Sequence, residues 1–200
     1  MSKMLNEVRK AYRVLFDYQT RILHLMEFLE KSYDISFVEG NSHFSNTVSK
    51  KAKRLDLWAW DWLPMYYYEF FFQKKIGDDH LRLSAFLLND SGLYEAEMSD
   101  SPSDKLNIDS YKKAEDSGTK LILISGINFW WEDWNHNTEE LPKLGESGKA
   151  EDGNLVYKSY DLERFGTEEE ALQTLKDFSA FCKKNNIPLE ISERKINEKL

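Results

Sequence analysis

The first thirty residues carry apolar side chains at the spacing of one helical face. Successive members of the stripe are three or four residues apart, except at a polar break at Gln19: Leu5, Val8, Tyr12, Leu15, Ile22, Met26 and Leu29. This period is typical of an amphipathic α-helix. We therefore predict a helix over residues 4–31.

The apolar face of this helix is broad. Phe16, Leu23 and Phe28 place apolar groups elsewhere on its circumference, which indicates contact with more than one neighbour. A sheet on one side and either a second helix or a partner chain on the other would satisfy it. The near-heptad spacing also permits a homodimer through this helix, although the regular flanking charges of a coiled coil are missing.

Residues 64–73 switch to a period of two, which predicts a β-strand. Tyr66, Tyr68, Phe70 and Phe72 share one face, and the other face carries aromatic residues around Glu69. Such a strand is covered on both faces, or covered on one and used for binding on the other. A mid-strand carboxylate needs a hydrogen-bond donor, and we expect an Arg or a Tyr hydroxyl.

Further strands are predicted at 81–88, 93–98, 119–127 and 155–162, with the first two extending 64–73 into a meander. Residues 119–127 are the most hydrophobic strand and should lie centrally. Thr167 and Glu170 form a capping box for a final helix over 168–185. The predicted fold class is α+β, a single domain over 1–200. An antiparallel or mixed sheet of about five strands carries the long N-terminal helix and the C-terminal helix.

The charge of the chain argues against nucleic acid as a partner. The net charge is −8, and the acidic excess lies in residues 76–200, which carry 15 Lys and Arg against 26 Asp and Glu. An acidic surface repels phosphate backbones. A single cysteine, Cys182, and the lack of a signal peptide or an 18-residue apolar run predict a cytoplasmic protein without a membrane segment.

Motifs with a decisive chemistry are absent from the sequence. It contains no phosphate-binding glycine loop, no H-E-x-x-H and no G-x-S-x-G. Four histidines and one cysteine do not suit a closed zinc site. We therefore predict neither a metal nor a cofactor, and the protein is expected to be non-enzymatic.

Two aromatic clusters exceed what a core needs, WAWDW at 58–62 and NFWWEDWNHN at 128–137. Tryptophan is common among residues that dominate binding interfaces, and polar loops held by a sheet often carry function. The predicted partner-binding residues are Trp58, Trp60, Trp130, Trp131, Glu132, Asp133, Trp134 and His136. We expect a soluble binding protein of the inhibitor, immunity-protein or regulatory-subunit type, whose acidic, tryptophan-anchored surface suits a basic protein partner.

Two alternatives stay open on the same residues. If 128–137 turns helically, Glu132, Asp133 and His136 share a face and could serve a metal-dependent hydrolase or nuclease. A pocket for a planar or apolar small molecule between the sheet and the long helix would also use aromatic rings.

Overall fold

The computed structural model describes residues 2–42, 67–92, 111–129, 147–149 and 154–192. These residues form an α+β fold, as predicted, in which a six-stranded sheet carries the N-terminal and C-terminal helices. The helices are α1 (Ser2–Tyr33) and α2 (Glu168–Lys184). The strands are β1 (Ser36–Ser42), β2 (Tyr67–Ile76), β3 (Asp79–Leu88), β4 (Lys120–Ile127), β5 (Ser147–Lys149) and β6 (Leu155–Asp161).

The sheet has the order β1-β2-β3-β4-β6-β5, and every neighbouring pair is antiparallel. Its two middle strands are β3 and β4. Residues 81–88 and 121–126 are buried without exception, which is the burial expected of strands covered on both faces. The predicted central place of residues 119–127 is confirmed.

The meander differs from the prediction. The strand predicted at 93–98 lies outside the described residues, and the place beside β3 belongs to β4. β1 and β5 were not predicted. Both are outer strands of polar composition, and Gly148 of β5 packs on the ring of Tyr157. A strand with so little apolar alternation gives no strand signal in the sequence.

Both helices pack on one face of the sheet. Ile22, Met26 and Leu29 of α1 and Phe178 of α2 are buried in this core. The Tyr33 hydroxyl donates to the Leu175 carbonyl at 2.7 Å and ties α1 to α2. Apolar residues from three of the predicted strands and from the C-terminal helix are buried: Phe70, Phe72, Leu83, Leu121, Leu123, Leu175 and Phe178.

The opposite face of the sheet is buried as well. It includes Phe71, Phe86 and Ile124 together with the polar side chains of Glu69 and Ser84. The Ser84 hydroxyl donates a hydrogen bond to the Glu69 carboxylate, so this mid-strand carboxylate has a donor, as its burial requires. β2 is therefore covered on both faces.

The start of α2 confirms Thr167 as the N-cap, although the Glu170 carboxylate bonds the Thr167 hydroxyl and not its backbone N–H. The Thr167 hydroxyl oxygen accepts a hydrogen bond from the backbone N–H of Glu170 at 3.2 Å and donates to the Glu170 carboxylate at 2.9 Å. Because the first backbone N–H groups of a helix lack partners within it, this cap fixes where the helix begins.

Two leucines of the α1 stripe test this packing as a matched pair. Leu29 is 0 % exposed and Leu15 is 42 % exposed. In dilute solution we expect Leu29→Ala to lower the free energy of unfolding by about 2–5 kcal/mol, because it leaves a cavity. We expect Leu15→Ala to change it by less than about 0.5 kcal/mol. Urea unfolding followed by circular dichroism measures both, and equal losses would contradict the packing of α1.

Candidate binding surface

The first half of α1 extends beyond the sheet. Every residue from Lys3 to Asp17 is exposed, and buried positions begin only at Ile22. At 1.5 Å per residue, the 32-residue helix is about 48 Å long, and residues 2–17 account for about 24 Å of it. We call residues 2–17 the free half of α1.

The free half carries the same apolar stripe as the buried half. Leu5, Val8, Tyr12 and Leu15 continue the helical side on which Ile22, Met26 and Leu29 pack against the sheet. All four are exposed in the free half, Tyr12 to 58 %. Further exposed apolar side chains beside the stripe are Met4, Val14 and Phe16, the last to 72 %. The core-facing side of α1 therefore continues for four turns that no other described part of the chain covers.

The free half is basic, in contrast to the chain as a whole. Lys3, Arg9, Lys10 and Arg13 outnumber Glu7 and Asp17, while the net charge of the protein is −8. One exposed pair, Lys10 with Glu7, is 2.9 Å apart and contributes little by itself. At about 100° per residue, Arg9 borders the stripe, while Lys3, Lys10 and Arg13 lie on the opposite side of the helix.

Tyr18 marks the point where α1 meets the body of the fold. Its hydroxyl donates to the Asn89 side-chain oxygen at 2.7 Å, next to the end of β3. Burial raises the pKa of Tyr18 to about 12, so the hydroxyl keeps its proton at neutral pH and remains a donor. This contact fixes the direction in which the free half leaves the sheet.

A groove of ≈590 Å³ lies beside the buried half of α1. One wall is formed by Ile22, Leu25 and Phe28 of α1, and the other by residues 162–171, which connect β6 to α2 and begin α2. The lining is mostly apolar, and its charged side chains are Arg21, Glu163 and Glu168, all of them exposed. Its size falls within the range of ligand and peptide sites.

The second wall of the groove is anchored to β6. The Phe165 ring meets the Tyr160 ring edge-on with centroids 6.2 Å apart, and the Arg164 guanidinium lies 5.3 Å from the centre of the Tyr160 ring. The Tyr160 hydroxyl donates to Asp177 of α2 at 2.8 Å, and the Lys158 ammonium donates to the same oxygen at 2.7 Å.

The ionisation of this cluster follows from its surroundings. Burial opposes the charge on Asp177, but the hydrogen bonds from Lys158 and Tyr160 outweigh it, so its pKa lies below the ordinary value. Burial first, and then the hydrogen bond to Asp177, raise the pKa of Tyr160 far above its ordinary value. Asp177 is therefore the anion and Tyr160 the donor at neutral pH.

The predicted tryptophan surface lies outside the described residues. This applies to Trp58, Trp60, Trp130, Trp131, Glu132, Asp133, Trp134 and His136. Their described flanks are at opposite ends of the sheet, because Tyr67 pairs with the end of β3 and Ile127 pairs with Leu81 near its start. The structure therefore gives the two aromatic clusters separate points of attachment.

The attachment point of residues 130–137 is well fixed. Asn128 has a left-handed backbone with φ 56°. Its side chain accepts from the His80 N–H at 2.8 Å and donates to Asp79 at 2.7 Å. Phe129 is buried against Phe71 with centroids 6.2 Å apart. These contacts hold Asn128 and Phe129, which directly precede the second aromatic cluster, near the β2–β3 turn.

The described residues bear on three features: a metal site, a reactive thiol and a membrane-spanning helix. No group of three or more His, Cys, Asp or Glu side chains there could hold a metal ion. Cys182 is buried, which raises the pKa of its thiol to about 12, so it is protonated and unreactive at neutral pH. Among the described helices, none combines the length and apolar character needed to cross a membrane.

A protein-family model matches residues 1–190, which include both helices and every described strand. The chain belongs to the PM0109 family. No curated protein matches the chain, and neither does any solved structure. The family description names no activity.

Sequence reasoning placed the binding site on the tryptophans and did not single out the free half of α1. The signal was present in the breadth of the apolar face at Phe16 and Leu23, both of which are exposed. A second signal was the basic composition of residues 3–13 in an acidic chain. His24 of α1 is exposed and lines the groove.

The Asp177 cluster predicts a pH dependence of stability. Because its pKa is lower in the folded chain, Asp177 stabilises the fold above the ordinary value of 3.8, and this contribution is lost as the pH falls below that value. We expect Asp177→Asn to lower the unfolding midpoint at pH 7 and to flatten its decline in acid. Thermal unfolding between pH 7 and pH 3 measures this. Parallel pH profiles of the two chains would contradict it.

Proposed function

We propose that this member of the PM0109 family is a non-enzymatic binding protein that acts through a protein partner, with the free half of α1 as a docking surface. The observation that supports this is the uncovered stripe of Leu5, Val8, Tyr12 and Leu15. Monomeric proteins rarely expose a contiguous apolar patch of this kind without a use.

The spacing of the stripe fits recognition of a helix by a groove. The four residues lie at intervals of three, four and three, the pattern by which an amphipathic helix inserts one face into an apolar groove. Tyr12 and Phe16 supply large ring areas of the type found at interface hot spots. The described part of the chain thus offers the helix, and the partner would offer the groove.

A membrane surface is a poorer match than a protein. The stripe of the free half lies on the same side of α1 as the apolar residues of the buried half, and the sheet packs against that side. A flat bilayer in contact with Val8 and Leu15 would overlap with the sheet, because the sheet lies on the same side of α1. A partner of protein size can instead lie beside the sheet under the free half.

The charges indicate the chemistry of the partner at this surface. Arg9 borders the stripe, whereas Lys3, Lys10 and Arg13 lie on the opposite side of the helix at about 100° per residue. We therefore expect the accepting groove to carry a carboxylate where it meets Arg9. The acidic tryptophan surface at 58–60 and 130–136 remains a second proposed contact, suited to a basic protein. An inhibitor, an immunity protein or a regulatory subunit could use both contacts at once.

A substitution on the stripe tests the proposal. We expect Val8→Asp to reduce the capture of the partner by a tagged full-length chain at least about tenfold, because a charge in the interface is desolvated. Since Val8 is exposed, the unfolding midpoint should stay within experimental error. Capture from native lysate, quantified by mass spectrometry, is the measurement.

Asn6→Asp is the matched control. It adds the same charge to the same half of α1, but on the polar side of the helix, and should leave capture unchanged. Equal capture by wild type, Val8→Asp and Asn6→Asp would contradict the proposal.

A further inference from the structure

We infer that the free half of α1 docks on the α1 helix of a second copy of this chain and forms an antiparallel helix pair with it. The contact uses a row of exposed apolar residues on one flank of α1, which we call the outer row: Leu5, Tyr12, Phe16 and Leu23. This inference rests on the proposed function, since it takes the free half to be a docking surface, and it names the partner.

The outer row continues along α1 past the point where the helix meets the sheet. At about 100° per residue, its members lie within about 40° of one another and about 90° from the core-facing residues Ile22, Met26 and Leu29. Leu23 belongs to the buried half, yet it is 47 % exposed, as is Leu5. The described part of the chain therefore leaves this apolar flank open over about five helical turns.

The charged side chains that border the outer row change sign along the helix. Arg9 and Glu27 are 18 positions apart, which is about five helical turns, so they lie on the same edge of the row. Both are exposed. Glu27 also lies 3.9 Å from Lys31, but an exposed ion pair of this kind contributes little. The row thus has a basic side chain near one end and an acidic side chain near the other.

An antiparallel pair brings these opposite charges together. A two-fold axis at Tyr18 sets Arg9 of one copy beside Glu27 of the other, because both residues are equally far from position 18. The same register places Tyr12 next to Leu23 of the other copy, and every contact forms twice. A parallel pair would set Arg9 beside Arg9 and Glu27 beside Glu27, which is unfavourable. One surface therefore supplies both sides of the contact, as a two-fold interface requires.

This register also keeps the two sheets apart. Tyr18 is the point where α1 meets its own sheet, through the hydrogen bond to Asn89. With the axis at this residue, each free half lies beside the buried half of the other copy. The two sheets then lie at opposite ends of the helix pair, and the outer rows cover each other along their length.

The start of β1 adds apolar surface where the row of the other copy ends. The Phe37 N–H donates to the Glu30 carboxylate at 2.9 Å, so β1 begins beside the flank of α1 that carries the outer row. The Phe37 ring lies 5.6 Å from that of Phe72 and is 48 % exposed. In the antiparallel register, Leu5 of the other copy reaches the level of Lys31, near this ring. An exposed leucine and an exposed ring therefore leave water together.

Charge reversal in the full-length chain tests the inference. Arg9→Glu or Glu27→Arg alone sets like charges beside each other at both ends of the pair, so we expect each to raise the dimer dissociation constant about tenfold. An equimolar mixture of the two variants restores opposite charges, as does the double variant, and association should return to the wild-type level. Sedimentation equilibrium over a concentration series measures these constants.

Lys10→Glu is the matched control. It makes the same change of charge in the free half but on the far side of the helix, and should leave the dissociation constant unchanged. Phe16→Asp should reduce the mass from two chains to one without changing the circular dichroism, because Phe16 is exposed. A wild-type chain with the mass of a monomer throughout the series would overturn the inference. So would a dimer that none of these outer-row changes weakens, or a mixture that associates no better than its two components.

The two proposals can fail separately. If the chain is a monomer while Val8→Asp still abolishes the capture of a different protein, the second-copy inference is wrong and the docking surface stands. If the chain is a monomer and Val8→Asp leaves capture unchanged, both are wrong.

Discussion

The apolar stripe on α1 is longer than the face of the sheet on which it packs. This difference in length leaves the apolar residues of the free half exposed, and the proposed binding surface depends on it. The buried half contributes Ile22, Met26, Leu29 and Tyr33 to the core. The free half repeats the same pattern over sixteen residues, and none of the described strands packs beneath it. Apolar area left in water costs free energy in proportion to its extent. A partner that covered the stripe would remove this area from water, and the complex would be stabilised.

Contacts along the buried half fix the direction of α1 relative to the sheet. Tyr18 bonds to Asn89, Tyr33 bonds to Leu175, and the core between these points excludes water. The cluster of Tyr160, Asp177 and Lys158 anchors the connection that forms the outer wall of the groove. A helix held at several points along its buried half presents its free half as a pre-organised surface, which lowers the entropic cost of binding.

The sequence predicted the parts of the fold that have a strong period. The stripe of α1, the alternation of β2 and the Thr167 cap each correspond to one repeating physical requirement, and all three were found. β1 and β5 were missed because outer strands of polar composition lack that alternation. The pairing of β3 with β4 depends on contacts between distant segments, which local patterns do not encode.

The candidate site was harder to predict for a related reason. A stripe read along one helix has the same period whether the sheet beneath it continues or stops, so Leu15 and Leu29 look equivalent in the sequence. Only the structure separates them, as exposed and buried. The tryptophan residues predicted to bind a partner, from Trp58 to His136, lie outside the described residues and remain predictions.

Hydrogen–deuterium exchange of α1 tests the central claim most directly. A helix half without tertiary contacts is marginally stable in water, so in dilute solution the amides of residues 2–17 should exchange much faster than those of residues 22–33. Their exchange should slow when a partner is added, while the exchange of residues 22–33 stays unchanged. Equal protection of both halves at the lowest concentration would mean that the chain itself covers the stripe. That result would contradict the account of α1 as a docking surface.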